Sequence, residues 1–216
     1  MPRKKKRRAL ALAIPRHPWM GTPMLEEVRK LNERCFAQLA QAVKTHPDPA
    51  GSPALEILTQ FAAQIDARVC GRAGSCPVLL LDLDFNDPSR WDRIIAGMPI
   101  AASAPLFSQE AASPLLHEIL MQAWNVGHGA PRAASLFFGM APRVSEVISK
   151  LTGEELKRIA EAHAAHLRPR WEDRRTFWAR LMDAAIGTSD EALVDVQLHC
   201  LSLLGGELVP ARRTGD

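Results

Sequence analysis

The sequence predicts an all-α fold: a multi-helix domain preceded by a helical N-terminal extension and a disordered basic tail. Alanine is abundant and is joined by Leu, Glu, Arg and Gln, side chains that lose little freedom in a helix. Tyrosine is absent and alternating runs of Val, Ile and Thr are scarce, which argues against a sheet-dominated fold. With 216 residues, 47% hydrophobic and 24% charged, the chain has enough apolar material for one domain, or for a domain plus a smaller helical piece.

The elements follow from periodicity and punctuation. The segment up to Gly21 is basic and ends in prolines (Pro15, Pro18, Pro23). A first helix is predicted from Pro23 to Lys44, because Leu25, Val28, Leu31, Cys35, Leu39 and Val43 share one face. Thr45 to Pro53 is a proline-rich linker, and Pro53 opens a second helix that carries Leu55, Leu58, Phe61, Ile65 and Val69 to a stop near Gly71. Val78 to Leu81 is the one candidate strand, followed by an acidic turn, Asp82 to Asp87, and a short helix from Arg90 to Ala96. A loose connection leads to Ser113.

Helices are then predicted at Pro114–Val126, Ala130–Phe138, Pro142–Lys150, Gly153–His166, Asp173–Ile186 and Ser189–Leu204. Thr152 with Glu155 reads as a capping box, and Gly205-Gly206 as a helix stop. The resulting segments are 1–22 (tail), 23–75 (helical extension), 76–113 (connection), 114–208 (helical module) and 209–216 (second tail).

Charge is concentrated at one end. Residues 1–17 hold seven basic groups (Arg3, Lys4, Lys5, Lys6, Arg7, Arg8, Arg16) and no acidic one, which leaves 20 basic against 24 acidic residues in the remainder. The isoelectric point of about 8.8 therefore belongs to the tail. Such a run attracts phosphate through counterion release without reading base sequence. The apolar stretch Ala9 to Ile14 is broken by Pro15 and followed by Arg16 and His17, so it makes a poor signal peptide. Four scattered cysteines (Cys35, Cys70, Cys76, Cys200) fit free thiols in a reducing cytoplasm, although the loop between Cys70 and Cys76 would let those two approach. No transmembrane segment, cofactor or metal site is predicted.

Several motifs bear on chemistry. Asp82 and Asp84 after an apolar run resemble the aspartate pair of haloacid-dehalogenase-like phosphatases, but Phe85-Asn86-Asp87-Pro88 replaces that family's Gly-Thr, and no alternating strands and helices follow. The pair reads as a capped acidic turn. His163 and His166 have a permitted ligand spacing but lack a third ligand. No P-loop, dinucleotide fingerprint or nucleophile elbow is present, so no enzyme is predicted.

Ala133 to Ser149 reads as a helix-turn-helix with Gly139 at the turn and Arg143, Ser145 and Ser149 facing outward. A second cluster, Arg168, Arg170, Arg174 and Arg175 beside Trp171 and Trp178, has residue types suited to phosphate forks and stacking. Pairing with Glu172 and Asp173 is its alternative.

The order of motifs from Ala133 to Leu204 resembles the FlhD family, the D subunit of the bacterial flagellar master transcription activator, and related regulators of integrative and conjugative elements. The features that carry this resemblance are a helix rich in Leu, Met and Gln (Leu115 to Trp124), Leu136-Phe137-Phe138-Gly139-Met140 and Leu151-Thr152-Gly153-Glu154-Glu155-Leu156. Lys157-Arg158-Ile159-Ala160-Glu161, Arg170-Trp171 and Leu198-His199 follow in order.

The resemblance implies an FlhD-like all-helical module at 114–208 that oligomerises and joins a zinc-bearing, FlhC-like partner to activate promoters. Leu167 stands where that family carries a dimer-bridging cysteine, so no covalent dimer is expected. The expected DNA contacts are Arg168, Arg170, Arg174 and Arg175, with Arg143, Ser145 and the tail residues Lys4, Lys5, Lys6, Arg7 and Arg8. The expected partner contacts are His199, Leu116, Leu120 and Met121. The competing expectation is a helical adaptor of the same fold that never touches DNA.

Overall fold

The long apolar stripe of the first helix buries against the rest of the molecule and sets its frame. In the computed structural model, which describes residues 22–45, 51–101 and 104–208, α1 (Thr22–Thr45) buries Val28, Leu31, Cys35, Phe36, Leu39 and Val43. The basic tail residues Lys4, Lys5, Lys6, Arg7 and Arg8 lie outside the described residues.

The single helix expected after Pro53 is instead broken. It comprises α2 (Pro53–Gln60), a single 3-10 turn at Ala62–Gln64, and α3 (Ala67–Ala73). Asp66 decides the break: its carboxylate accepts from the Val69 amide at 2.8 Å and starts a new helix there.

The centre of the molecule is an irregular segment: of the strand expected at Val78 to Leu81 only Leu81 pairs, and the chain bends at Val78 and Leu80. Val78, Leu79, Leu80 and Leu81 are each 0% exposed. A buried irregular backbone must find partners for its polar groups outside a regular ladder. Buried Asn32 on α1 supplies three: its amide donates to the Cys76 and Val78 carbonyls, both at 2.9 Å, and its oxygen accepts from Leu80 N at 2.8 Å. Leu79 N donates to the Phe137 carbonyl at 2.7 Å.

The segment ends in β1 (Leu81–Asp82), paired antiparallel with β2 (Arg168–Pro169), Leu81 opposite Pro169 and Asp82 opposite Arg168. This two-residue pairing is the only sheet among the described residues.

Asp87 caps α4 (Pro88–Ile95), accepting from Ser89 N at 2.9 Å. The next helix begins before the predicted proline. Ser108 caps α5 (Gln109–Gly129), which runs through Pro114. The segment 76–113 thus holds β1, α4 and the first turn of α5, and the boundary expected at Ser113-Pro114 falls inside a helix.

α6 (Pro131–Phe138), α7 (Pro142–Ser149) and α8 (Gly153–His163) pack on α5, and the Trp124 indole fixes the entry to α8 by donating to the Leu151 carbonyl at 2.8 Å. The Thr152–Glu155 capping box forms as expected. α9 (Arg175–Ile186) and α10 (Asp190–Leu208) follow. α10 does not stop at Gly205-Gly206; it continues two residues and places Glu207 against the centre of the fold.

The N-terminal extension and the C-terminal helices share one core. Arg68 and Arg72 on α3 cap the open end of α9. Arg68 donates to the Ile186 and Gly187 carbonyls at 3.0 and 3.3 Å, and Arg72 donates to the Ala184 and Ala185 carbonyls, both at 3.2 Å. No helix among the described residues is long and apolar enough to cross a membrane.

Candidate functional site

Arg170 is the most constrained cation among the described residues. It is 1% exposed, and all of its nitrogens are engaged. Nε donates to the Leu79 carbonyl at 3.0 Å and Nη2 to the Phe138 carbonyl at 2.7 Å. Nη2 also reaches Asp82 at 2.9 Å, and Nη1 reaches Glu207 at 3.0 Å. One side chain therefore ties the central segment, the end of α6 and the end of α10 together.

Gly139 makes room for it. The residue sits at φ +62°, and a Cβ there would lie 2.8 Å from Cζ of Arg170 and nearer still to Nη1. Glycine is required at this turn both for its left-handed backbone and for space.

A polar cleft of about 550 Å³ opens beside this hub, lined by Asp82, Asp84, His166, Arg168, Trp171 and Glu207 among others. Two of its residues hold strained backbones, Asp84 at φ +52° and Trp171 at φ +53°. Burial pushes the Asp84 carboxyl above its ordinary range, with the Asp82 charge adding to the effect, and burial likewise raises Glu207. Burial lowers His166, and the nearby Arg90 and Arg168 lower it further.

The charges of the cleft largely answer one another. Arg90 meets Asp84 at 3.0 Å, Arg168 meets Glu172 at 4.0 Å, and Arg170 takes Asp82 and Glu207. Asp82 also accepts from Phe85 N at 3.2 Å. The acidic pair is therefore a capped, arginine-bound turn, and no parallel sheet among the described residues stands behind it as a phosphatase would need. Among the described residues no group of three or more His, Cys, Asp or Glu side chains is arranged to hold a metal ion.

The other expected DNA contacts scatter. Arg170 is a correction, since its donors are spent inside the protein and none reaches solvent. Ser145 is a second: it is 3% exposed and its hydroxyl faces Gly127 of α5, because α7 turns that side into the core. Arg168 is half-buried on β2.

Arg143, Arg174 and Arg175 are exposed, but each is paired, with Asp92 at 2.8 Å, with Asp173 at 3.5 Å and with Glu56 respectively. Arg143 lies on α7, apart from Arg174 and Arg175 at the start of α9, and the described residues carry 18 Lys and Arg against 22 Asp and Glu, a net of −4. A folded body of that sign repels a phosphate backbone outside local patches.

The expected partner contacts also divide. Leu116 and Leu120 are both 0% exposed, a correction that follows from α5 being the central helix, packed against α1, α6, α7 and α8. Met121 is exposed on the same helix. His199 is half-buried, edge-on to the Phe177 ring at 5.8 Å.

Beside His199 lies a surface that residue-by-residue reasoning from the sequence missed. Val194, Leu198 and Leu201 are 51%, 58% and 39% exposed, on a side of α10 turned away from buried Leu193, Val196, Cys200 and Leu204. Their spacing of four and three places them in one stripe about 10 Å long. The signal for it was the composition of α10, whose aliphatic residues spread beyond the one face that packing on one neighbour needs.

Fold and site together define an all-α protein with an arginine-centred core and an aliphatic stripe left open on its last helix. No protein-family model matches the chain, and no curated protein or solved structure does so.

Proposed function

We propose that this chain is a transcription-regulator subunit that works by protein association, the outer stripe of α10 seating a helix of an FlhC-like partner subunit. The observation that carries the reading is the line of Val194, Leu198 and Leu201. Three large aliphatic side chains in register on one helix form an apolar surface rimmed by Glu191, Asp195 and Ser202, the apolar-centre, polar-rim pattern of a docking face. The FlhD-like order of motifs from Ala133 to Leu204 supplies the partner class and the regulatory role. The acidic balance of the body favours DNA contact through the assembly over direct reading by this subunit, with Lys4 to Arg8 adding attraction to phosphates that is independent of sequence.

The test is co-expression with an FlhC-like subunit, light scattering of the purified species, and a gel shift on promoter DNA at two salt concentrations. Wild type is expected to co-purify with the partner, and promoter binding is expected to need both chains. Leu198→Glu is expected to abolish co-purification while leaving the melting temperature within a few degrees, because the side chain touches water in the free subunit. Unchanged association of that variant would refute the α10 face. Salt-dependent promoter binding by this chain alone would instead favour direct DNA contact by the free subunit.

A further inference from the structure

The sulfurs of Cys76 and Cys200 lie 3.1 Å apart, although 124 positions separate them in the chain. They are 2% and 0% exposed. An S–S bond is about 2.05 Å long, so roughly 1 Å separates this contact from a covalent link.

Both backbones are anchored beside the sulfurs. Asn32 donates to the Cys76 carbonyl at 2.9 Å, and Gln197, three residues before Cys200 on α10, donates to the Ser75 carbonyl at 3.1 Å. Closing the gap therefore asks for side-chain rotation rather than movement of the helix. The approach between Cys70 and Cys76 suggested by their spacing is not what the fold uses; the sulfur that Cys76 meets is that of Cys200.

We propose that Cys76 and Cys200 are a site of reversible oxidation, converted by hydrogen peroxide into an intrachain disulfide that fastens α10 to the central segment. The thiolate of one cysteine attacks the peroxide and breaks its O–O bond, giving a sulfenic acid and, with the thiol proton, one water. The second thiol then attacks the sulfenic sulfur; the S–S bond forms, the S–O bond breaks and a second water leaves. Two electrons pass from the sulfur pair to the peroxide. The first step belongs to molecules in which α10 has lifted locally, because in the closed form the neighbouring thiol, together with burial that also excludes the oxidant, holds the Cys76 thiol above its ordinary range. Reclosure returns the second sulfur to bonding reach. The crosslink does not depend on α10 being a docking helix.

The full-length chain is treated with hydrogen peroxide, unfolded in guanidinium with N-ethylmaleimide, and weighed intact. Two of the four cysteines are expected to escape alkylation, with a mass lower by two hydrogens before labelling. A Cys76–Cys200 linked peptide should appear in the digest, and dithiothreitol should restore four reactive thiols. The oxidised protein is expected to melt at a higher temperature than the reduced one. Cys76→Ser and Cys200→Ser should each lose the linked species, whereas Cys35→Ser should keep it. The wild-type digest decides the question even where a variant folds poorly. Four alkylatable thiols after peroxide, oxygen added to single cysteines without crosslinking, or a different linked pair would each overturn the proposal.

Discussion

Arg170 shows how far the meaning of a residue depends on what surrounds it. In the sequence it is one of four arginines within eight positions, beside tryptophans, a composition that fits phosphate binding. In the fold it donates to two backbone carbonyls and two carboxylates, and none of its nitrogens is left for a phosphate. A buried cation is tolerable only when paired and fully hydrogen-bonded, and removing it strands the groups that relied on it. Arg170→Met is therefore expected to cost about 3–5 kcal/mol in urea unfolding, whereas Arg174→Met, at an exposed pair, is expected to cost about 1 kcal/mol or less. A loss of similar size in both variants would show that Arg170 is not the hub.

The histidine pair carries a pH consequence at the same scale. Burial holds His163 below its ordinary value of 6.5, with His166 and Arg90 adding to the effect; burial, then Arg90 and Arg168, lower His166. The unfolded chain thus binds these protons more readily than the folded one. The contribution to stability is full above about pH 6.5 and is lost as pH falls through that value towards the lower folded pKa. The urea midpoint should fall between about pH 7.5 and about pH 5.5, and His163→Gln with His166→Gln should flatten that dependence.

Local signals governed the elements where they were strong, and packing governed them where they were weak. The capping box at Thr152–Glu155 was legible because both of its partners lie within one turn. Asp66 breaking the second helix was also legible in principle, as a good N-cap inside an apolar period. The continuation of α10 through Gly205-Gly206 was not, because two glycines disfavour helix by about 1 kcal/mol each. What extends the helix is remote: Leu204 is buried and Glu207 binds Arg170.

The turn from α6 to α7 depends on a distant residue in the same way. Its glycine was expected from the helix-turn-helix pattern, but the guanidinium filling the space above it was not. Gly139→Ala combines a left-handed backbone with a Cβ directed at a locked side chain, and is expected to destabilise the protein by about 2–4 kcal/mol. Thermal and urea unfolding of this variant beside Gly129→Ala, where a Cβ meets open space, would separate the steric effect from ordinary helix propensity.

Across the whole molecule, the N-terminal extension and residues 114–208 depend on one another. Asn32 of α1 holds the central segment, Arg170 in the turn after β2 holds it from the other side, and Arg68 and Arg72 of α3 close the end of α9. A fragment of residues 114–208 would lose Asn32, Leu79 and Asp82 and would expose Arg170. It is expected to lack a cooperative urea transition and near-ultraviolet circular dichroism, in contrast to the full chain. A sharp transition in the fragment would restore the segment as an independent module.

By itself the sequence determined a mostly helical chain, most helix starts, the turn at Gly139 and the separation of a basic end from an acidic body. These follow from interactions within a few residues, which composition and spacing record directly. Only the tertiary structure decided which arginine is buried, that Leu116 and Leu120 are core while Val194, Leu198 and Leu201 are surface, and that Cys76 meets Cys200. Each of those facts depends on which distant elements share a face. A guanidinium at position 170 binds carbonyls or solvent according to whether residues 79, 82, 138 and 207 converge on it, and no local pattern encodes that convergence.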